Sequence, residues 1–265
     1  MPSPRSNSVN GSDIVTPPLI AVAHGSRDPR SARVVTAAVA AIRARRPDLD
    51  VRLCFLDLTA PAVDQVVDAV AAEGHSAAVV VPLLLGSAFH ARVDLPGILA
   101  AARARHPQLT LVQSDVLGHD HRLVDAVRER IEATGVDTDD PATGVVLAAV
   151  GSSDARANER TRGLAAVLAA GTGWADTTTC FATSAEPSVG QAISLLRSRG
   201  VERIVIAPWF LAPGRLTDRL GAAALDVAPD AVLADTIGAH RHLADVAVDR
   251  YRAALAAATR WRLSA

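Results

Sequence analysis

Short apolar runs alternate with longer helical stretches from one end of the chain to the other. Residues 19–23, 51–56, 77–84 and 109–113 are largely apolar and end at polar or turn residues. Runs of this length and character predict strands buried on both faces, as in parallel sheets. Between them, the stretches near 29–46, 61–73, 91–106 and 119–133 carry Ala, Val and Arg at helical spacing. The same order recurs, with strands predicted near 144–149, 177–182, 203–209 and 231–235 and helices between them. Strands alternating with helices predict βαβ units around a parallel sheet. The fold class is therefore α/β.

The second series copies the first at a shift of 126 residues, Ala23-His24-Gly25-Ser26-Arg27-Asp28 lying over Ala149-Val150-Gly151-Ser152-Ser153-Asp154. Cys54-Phe55 lies over Cys180-Phe181, Pro61 over Pro187, and Pro82-Leu83-Leu84-Leu85 over Pro208-Trp209-Phe210-Leu211. Later the shift is 120, with Asp115-Val-Leu-Gly118 over Asp235-Thr-Ile-Gly238. Roughly six residues are thus expected to be missing just after the third strand of the second half. The pattern predicts two homologous doubly wound parallel-sheet halves facing each other across a cleft. The expected divisions are a disordered tail at 1–17, an N-terminal half at 18–134 carrying the functional site, a linker at 135–143, a C-terminal half at 144–258 and a tail at 259–265.

Composition narrows the function. Apolar residues make up 49% of the chain but aromatics only 3%, so aliphatic side chains must fill the core. All 27 basic residues are Arg, whose planar forks suit carboxylate ligands. A net charge of -1 supplies no basic field for nucleic acid. No apolar stretch approaches the ~20 residues of a membrane span, and the Ser-, Asn- and Pro-rich start has no signal-peptide core. The two cysteines, Cys54 and Cys180, give no basis for a disulfide framework or an iron–sulfur cluster. A cytoplasmic protein is expected.

Ligand sites in open α/β sheets lie beyond the carboxyl ends of the strands, where two histidines fall. His24 ends the first strand and opens the loop with Gly25, Ser26 and Arg27; Ser26 or Asp28 is placed to cap the following helix. His90 follows the third strand in Gly86-Ser87-Ala88-Phe89-His90-Ala91-Arg92-Val93-Asp94-Leu95-Pro96. His24 suits a metal ligand or base, or part of an anion cradle at a helix start. First and third strands usually neighbour each other in a doubly wound half, so the two imidazoles are expected to converge. A pair of neutral imidazoles suits Fe²⁺, Co²⁺, Ni²⁺ and Zn²⁺ alike and leaves coordination positions open, unlike a closed structural site. Counted at the same shift, Val150 replaces His24 and Leu216 replaces His90, so the second half has lost both.

Asp57 ends the second strand near the same edge, and Asp94 lies one helical turn past His90; either is a candidate to orient an imidazole or accept a proton. Arg27, Arg30, Arg33 and Arg92 cluster around the two loops, as a solvated face or as a receptor for a polyanion. Trp209, Phe210 and the Gly214-Arg215 loop are expected to face them as a flat apolar wall. His119, His121, His240 and His242 are taken as helix-start residues, since i, i+2 spacing puts two side chains on different faces.

The strand–His-Gly-Ser-Arg block, Phe55-Leu56-Asp57 with Pro61, and Pro82-Leu-Leu-Leu through Phe89-His-Ala-Arg-Val-Asp-Leu-Pro96 together resemble the sirohydrochlorin chelatases, which act without ATP. The resemblance spans about residues 18–258. It implies insertion of a divalent metal, as substrate, into sirohydrochlorin: Fe²⁺ to give sirohaem, or Co²⁺ on the anaerobic cobalamin route. It implies no nucleotide. The family's metal histidines map onto His24 and His90, and its acidic position, commonly Glu, maps onto the shorter Asp57. Gly25, Ser26, Arg27, Arg30, Gly86, Ser87 and Arg92 become the candidate contacts to the macrocycle. The family's long members carry in some cases a His-rich or Cys-rich tract; this chain has neither. Two other readings compete: a phosphate-binding α/β protein using His-Gly-Ser-Arg as its anion loop, and a non-catalytic metal or tetrapyrrole carrier. The chain is expected to act as a monomer, a dimer being the alternative.

Overall fold

The inner strands of each half divide their side chains between two cores, as the period-two geometry of a strand requires. The computed structural model describes residues 16–86, 93–183 and 186–264. In chain order the first half holds β1 (Leu19–Ala23), α1 (Pro29–Arg45), β2 (Val51–Phe55), α2 (Val63–Ala72), β3 (Ala77–Pro82), α3 (Leu95–Arg105), β4 (Thr110–Gln113) and α4 (His121–Glu132). The second half holds β5 (Thr143–Ala149), α5 (Ala155–Ala169), β6 (Asp176–Phe181), α6 (Val189–Ser198), β7 (Arg203–Pro208), α7 (Arg215–Val227), β8 (Val232–Leu233) and α8 (Arg241–Ser264).

The strands form two four-stranded sheets of order β2-β1-β3-β4 and β6-β5-β7-β8. All pairings are parallel, with Val22 level with Pro82 and Ala148 level with Pro208. Ile20 and Val22 of β1 join Val67 of α2 and Leu99 of α3 on the outer face of the first sheet. Leu19, Ala21 and Ala23 point the other way, into a core they share with Val145 and Leu147 of β5 and with Leu243 and Tyr251 of α8. One hydrophobic core therefore runs through both halves. Strand order reverses between β1 and β3, so the carboxyl ends of these two neighbours form the switch point of the first sheet. His24 and Gly86 follow those two ends.

The last helix of each half crosses to the other. Helix α4 packs on α5 and β7, while α8 packs on α1, β3 and β4. Equivalent arginines secure the exchange. Arg130 of α4 donates to Ile237 O at 2.8 Å, and Arg250 of α8 donates to Val116 O at 2.9 Å and Leu117 O at 2.8 Å. Truncating Arg250 leaves these carbonyls without that charged donor. Arg250→Ala should lower unfolding stability by about 2 kcal/mol, measurable by urea denaturation, and Arg130→Ala should cost about the same.

Several boundaries fall differently from the pattern. Helix α3 runs from Leu95, with a proline in its first turn and a π-helical pair at 93–94 before it; residues 91 and 92 lie outside the described residues. The final helix runs on through Ser264, since no Gly or Pro follows Arg241 to stop it. The stretch expected as a linker packs on the second half: Trp174 Nε1 donates to Asp137 O at 3.0 Å, and Thr143 is already a buried strand residue. Residues 1–15 of the expected tail lie outside the described residues, but Pro17 is anchored, its carbonyl accepting from Tyr251 Oη at 2.7 Å. The missing residues are divided. Four fewer separate Pro208 from the helix cap Ala228 than separate Pro82 from the cap His106, and two fewer separate the cap from the paired strand residue, Val232 against Val112.

Candidate active-site cleft

The His24 loop is built from its glycine outward. Gly25 takes φ +93°, and a Cβ there would lie 1.7 Å from Asp57 O. Only glycine permits that approach. Past it, Ser26 Oγ accepts from Asp28 N at 3.0 Å, and the Asp28 carboxylate caps α1 by accepting from Arg30 N at 3.0 Å. Capping of α1 thus falls to Asp28, not Ser26. The second half repeats the network, with Gly151 at φ +89°, Asp154 N donating to Ser152 Oγ at 3.1 Å and Arg156 N donating to Asp154 at 2.9 Å. Glycine, serine and aspartate are therefore scaffold common to both halves, and the imidazole is what differs. Gly25→Ala should cost at least about 2 kcal/mol of stability, read as a fall in the urea midpoint.

Both halves line one cleft of about 930 Å³, near the upper end of the usual range for small-ligand sites. His24, Gly25, Ser26, Arg27 and Gly86 line it from the first half, and Trp209, Phe210 and Arg215 from the second. His24 is exposed there, as is Val150, its counterpart. The expected apolar wall is thus part of the cleft. Ser87, His90 and Arg92 lie outside the described residues. Leu216, in the first turn of α7, also lines the cleft.

Two candidates are engaged elsewhere. Asp57 bonds through its backbone N–H to His24 O at 3.0 Å, but its carboxylate turns back to accept from Leu58 N at 2.7 Å and does not line the cleft. Arg30 is held by Asp28 and, across the halves, by Asp218, each at 2.5 Å. It is a clamp between α1 and α7 rather than a cleft residue. Its hydrogen bonds to Asp28 hold that carboxyl at about 2. Arg33 is exposed outside the cleft.

The cleft's own cations are Arg27, Arg160 and Arg215. All three are exposed, and among the described residues none pairs with a carboxylate. Among the described residues lining the cleft Asp28 is the one acidic residue, so the field there favours an anion. Arg160 escaped sequence reasoning because it lies in α5, in the half without histidines.

His119 was also missed. The cap of α4 is Asp120, which leaves His119 one residue upstream, on the cleft wall and 6.1 Å from the Trp209 ring. Burial, and then Arg160, pushes its pKa below the ordinary imidazole value. A signal existed in the repeat, since Ala239 stands at the matching position. Among the described residues the other histidines do not line the cleft. His121 is exposed, and His240 Nε2 meets Glu129 at 3.0 Å while its Nδ1 accepts from His242 N at 3.3 Å. That bonding puts the ring proton on Nε2. Asp50, Glu73 and His75 gather potential metal-ligand atoms at the surface, but Arg52 already pairs with both carboxylates.

Among the described residues no helix is long and apolar enough to cross a membrane. The chain matches the CbiX family over residues 18–134 and 144–254. A sirohydrochlorin ferrochelatase of Priestia megaterium is 30% identical over 231 residues, covering 85% of this chain and 85% of that protein. A sirohydrochlorin cobaltochelatase of the same organism is 28% identical over 205 residues, covering 75% of this chain and 65% of that protein. The solved structure of SirB from Bacillus subtilis with Fe³⁺ superposes with a TM-score of 0.76 at 27% identity, covering 88% of this chain and 93% of that one. The match takes in both α/β halves, and with them both walls of the cleft: the chain belongs to the CbiX family.

Proposed function

We propose that this protein is a sirohydrochlorin ferrochelatase, inserting Fe²⁺ into sirohydrochlorin to make sirohaem. The observation that carries the reading is the one-sided cleft. Two matching loops flank it, one presenting His24 and the other presenting Val150. His24, with His90, holds the incoming metal through neutral imidazole, leaving its other positions for water and for pyrrole nitrogens. Trp209 and Phe210 offer the macrocycle an apolar wall, and Arg27, Arg160 and Arg215 receive its carboxylates. Ligand exchange then proceeds stepwise, imidazole giving way to pyrrole nitrogen.

The two walls come from one chain, which supports action as a monomer. The buried, unpaired Cys54 and Cys180 fit a reducing cytoplasm. Cobalt is the second reading, favoured by the cobaltochelatase relative. Anaerobic spectrophotometric insertion with Fe²⁺, Co²⁺ and Ni²⁺ in turn tests both. Iron turnover well above the uncatalysed rate supports the assignment, and cobalt turnover alone moves it to the second reading. Stoichiometric metal binding without turnover makes the protein a carrier.

A further inference from the structure

Insertion strips a proton from each of two pyrrole nitrogens, and an imidazole that holds the metal has already committed its lone pair. His24 and His90 cannot take a proton while they hold the metal, and the Asp57 carboxylate turns away from the cleft. Resting on the chelatase reading above, we infer that His119 is the proton acceptor.

His119 lines the same cleft as His24. Among the described residues it makes no hydrogen bond or ion pair, so its nitrogens are uncommitted; its one ring contact is with Trp209, at 6.1 Å and a tilt of 59°. That separation is ordinary for an aromatic pair and holds the imidazole plane from across the boundary between the halves. Trp209 is thus a positioning residue. Its own indole N–H is buried without an acceptor among the described residues.

The charges around His119 suit a base that starts neutral. Arg160 faces it from α5, while Arg27 and Asp28 at the entrance to α1 and Arg215 at the start of α7 line the same space. Asp120, next in the chain, is committed to Arg122 at 2.9 Å and gives His119 no ion pair. Burial and Arg160 therefore keep the ring neutral at lower pH than usual. The matching position in the second half is Ala239, so base and metal ligand both belong to the first half.

In the step itself a pyrrole N–H bond breaks and its electron pair stays on nitrogen to bind the metal. The proton passes to the His119 ring and then to water. A second transfer removes the other proton, and nothing is oxidised or reduced.

The test compares full-length wild type, His119→Ala and His119→Gln in anaerobic Co²⁺ insertion from about pH 5 to 9, with Co²⁺ affinity measured separately by titration. Wild-type kcat should rise with pH to a plateau, its midpoint below the ordinary imidazole value of 6.5. Both variants should lose about 100-fold in kcat, with the KM for sirohydrochlorin and the Co²⁺ affinity unchanged. The plateau should give way to a rate that climbs with hydroxide, and added imidazole should partly restore the alanine variant. A kcat within about threefold of wild type, a loss confined to KM or Co²⁺ affinity, or restoration by Gln alone would overturn the inference and leave the chelatase reading standing. A wild type that inserts no metal would overturn both.

Discussion

Replacing His24 by alanine should reduce metal insertion into sirohydrochlorin by at least about 1,000-fold, to near the uncatalysed rate, without unfolding the protein. The side chain projects past the end of β1 and is exposed, so truncation opens no cavity in the core. The loop around it is held by Gly25, Ser26 and Asp28, and the imidazole adds an exposed contact from its Nδ1 to Gly25 O at 3.2 Å. On the proposed reading, what is lost is one of two ligands at a site with no ligand to spare, and with it most of the affinity for the metal. His90→Ala should fall as far. The internal control is Val150→Ala, which alters the matching loop of the other half, is exposed at 41% and should leave turnover within about threefold. Near-normal turnover in His24→Ala would sink the assignment, and an equal loss in Val150→Ala would move the active half. The comparison needs only turnover and a melting curve for each variant.

What could be read from the sequence was set by local pattern and by repetition. Apolar runs marked the strands to within a few residues because the inner strands are buried on both faces. The repeat located the His24 loop at the switch point and the Trp209 wall opposite it. The errors come from long-range partners that no pattern carries. Arg30 looked like a substrate contact because it neighbours His24 in sequence, but its second partner, Asp218, belongs to the other half. Asp57 sat at the right edge, yet a carboxylate one residue before a free backbone N–H can satisfy itself locally. His119 was set aside as a helix start, although the cap is Asp120 and the preceding residue is therefore released to the cleft.

Arg160 and Arg215 carry the other large effect. Changing both to glutamate should raise the KM for sirohydrochlorin about 100-fold or more while leaving Co²⁺ affinity close to wild type. A charge-assisted hydrogen bond is worth about 1.5–3 kcal/mol, so two of them at the low end already account for about 100-fold. Reversal adds repulsion between the new carboxylates and those of the substrate. The gap from wild type should narrow as salt is raised, because both positions are exposed and exposed charges are screened. Removing Arg160 also removes one of the two causes that lower the His119 pKa, so the rising limb of the rate profile should move to higher pH in the same variant. Arg30→Ala supplies the contrast. Its guanidinium is spent on Asp28 and Asp218, so its loss should appear in the contact between the halves, as a lower melting temperature, with KM little changed. Should Arg30→Ala instead raise KM as much as the double reversal, the carboxylates of the substrate must displace Asp218, and the clamp would be part of the binding site.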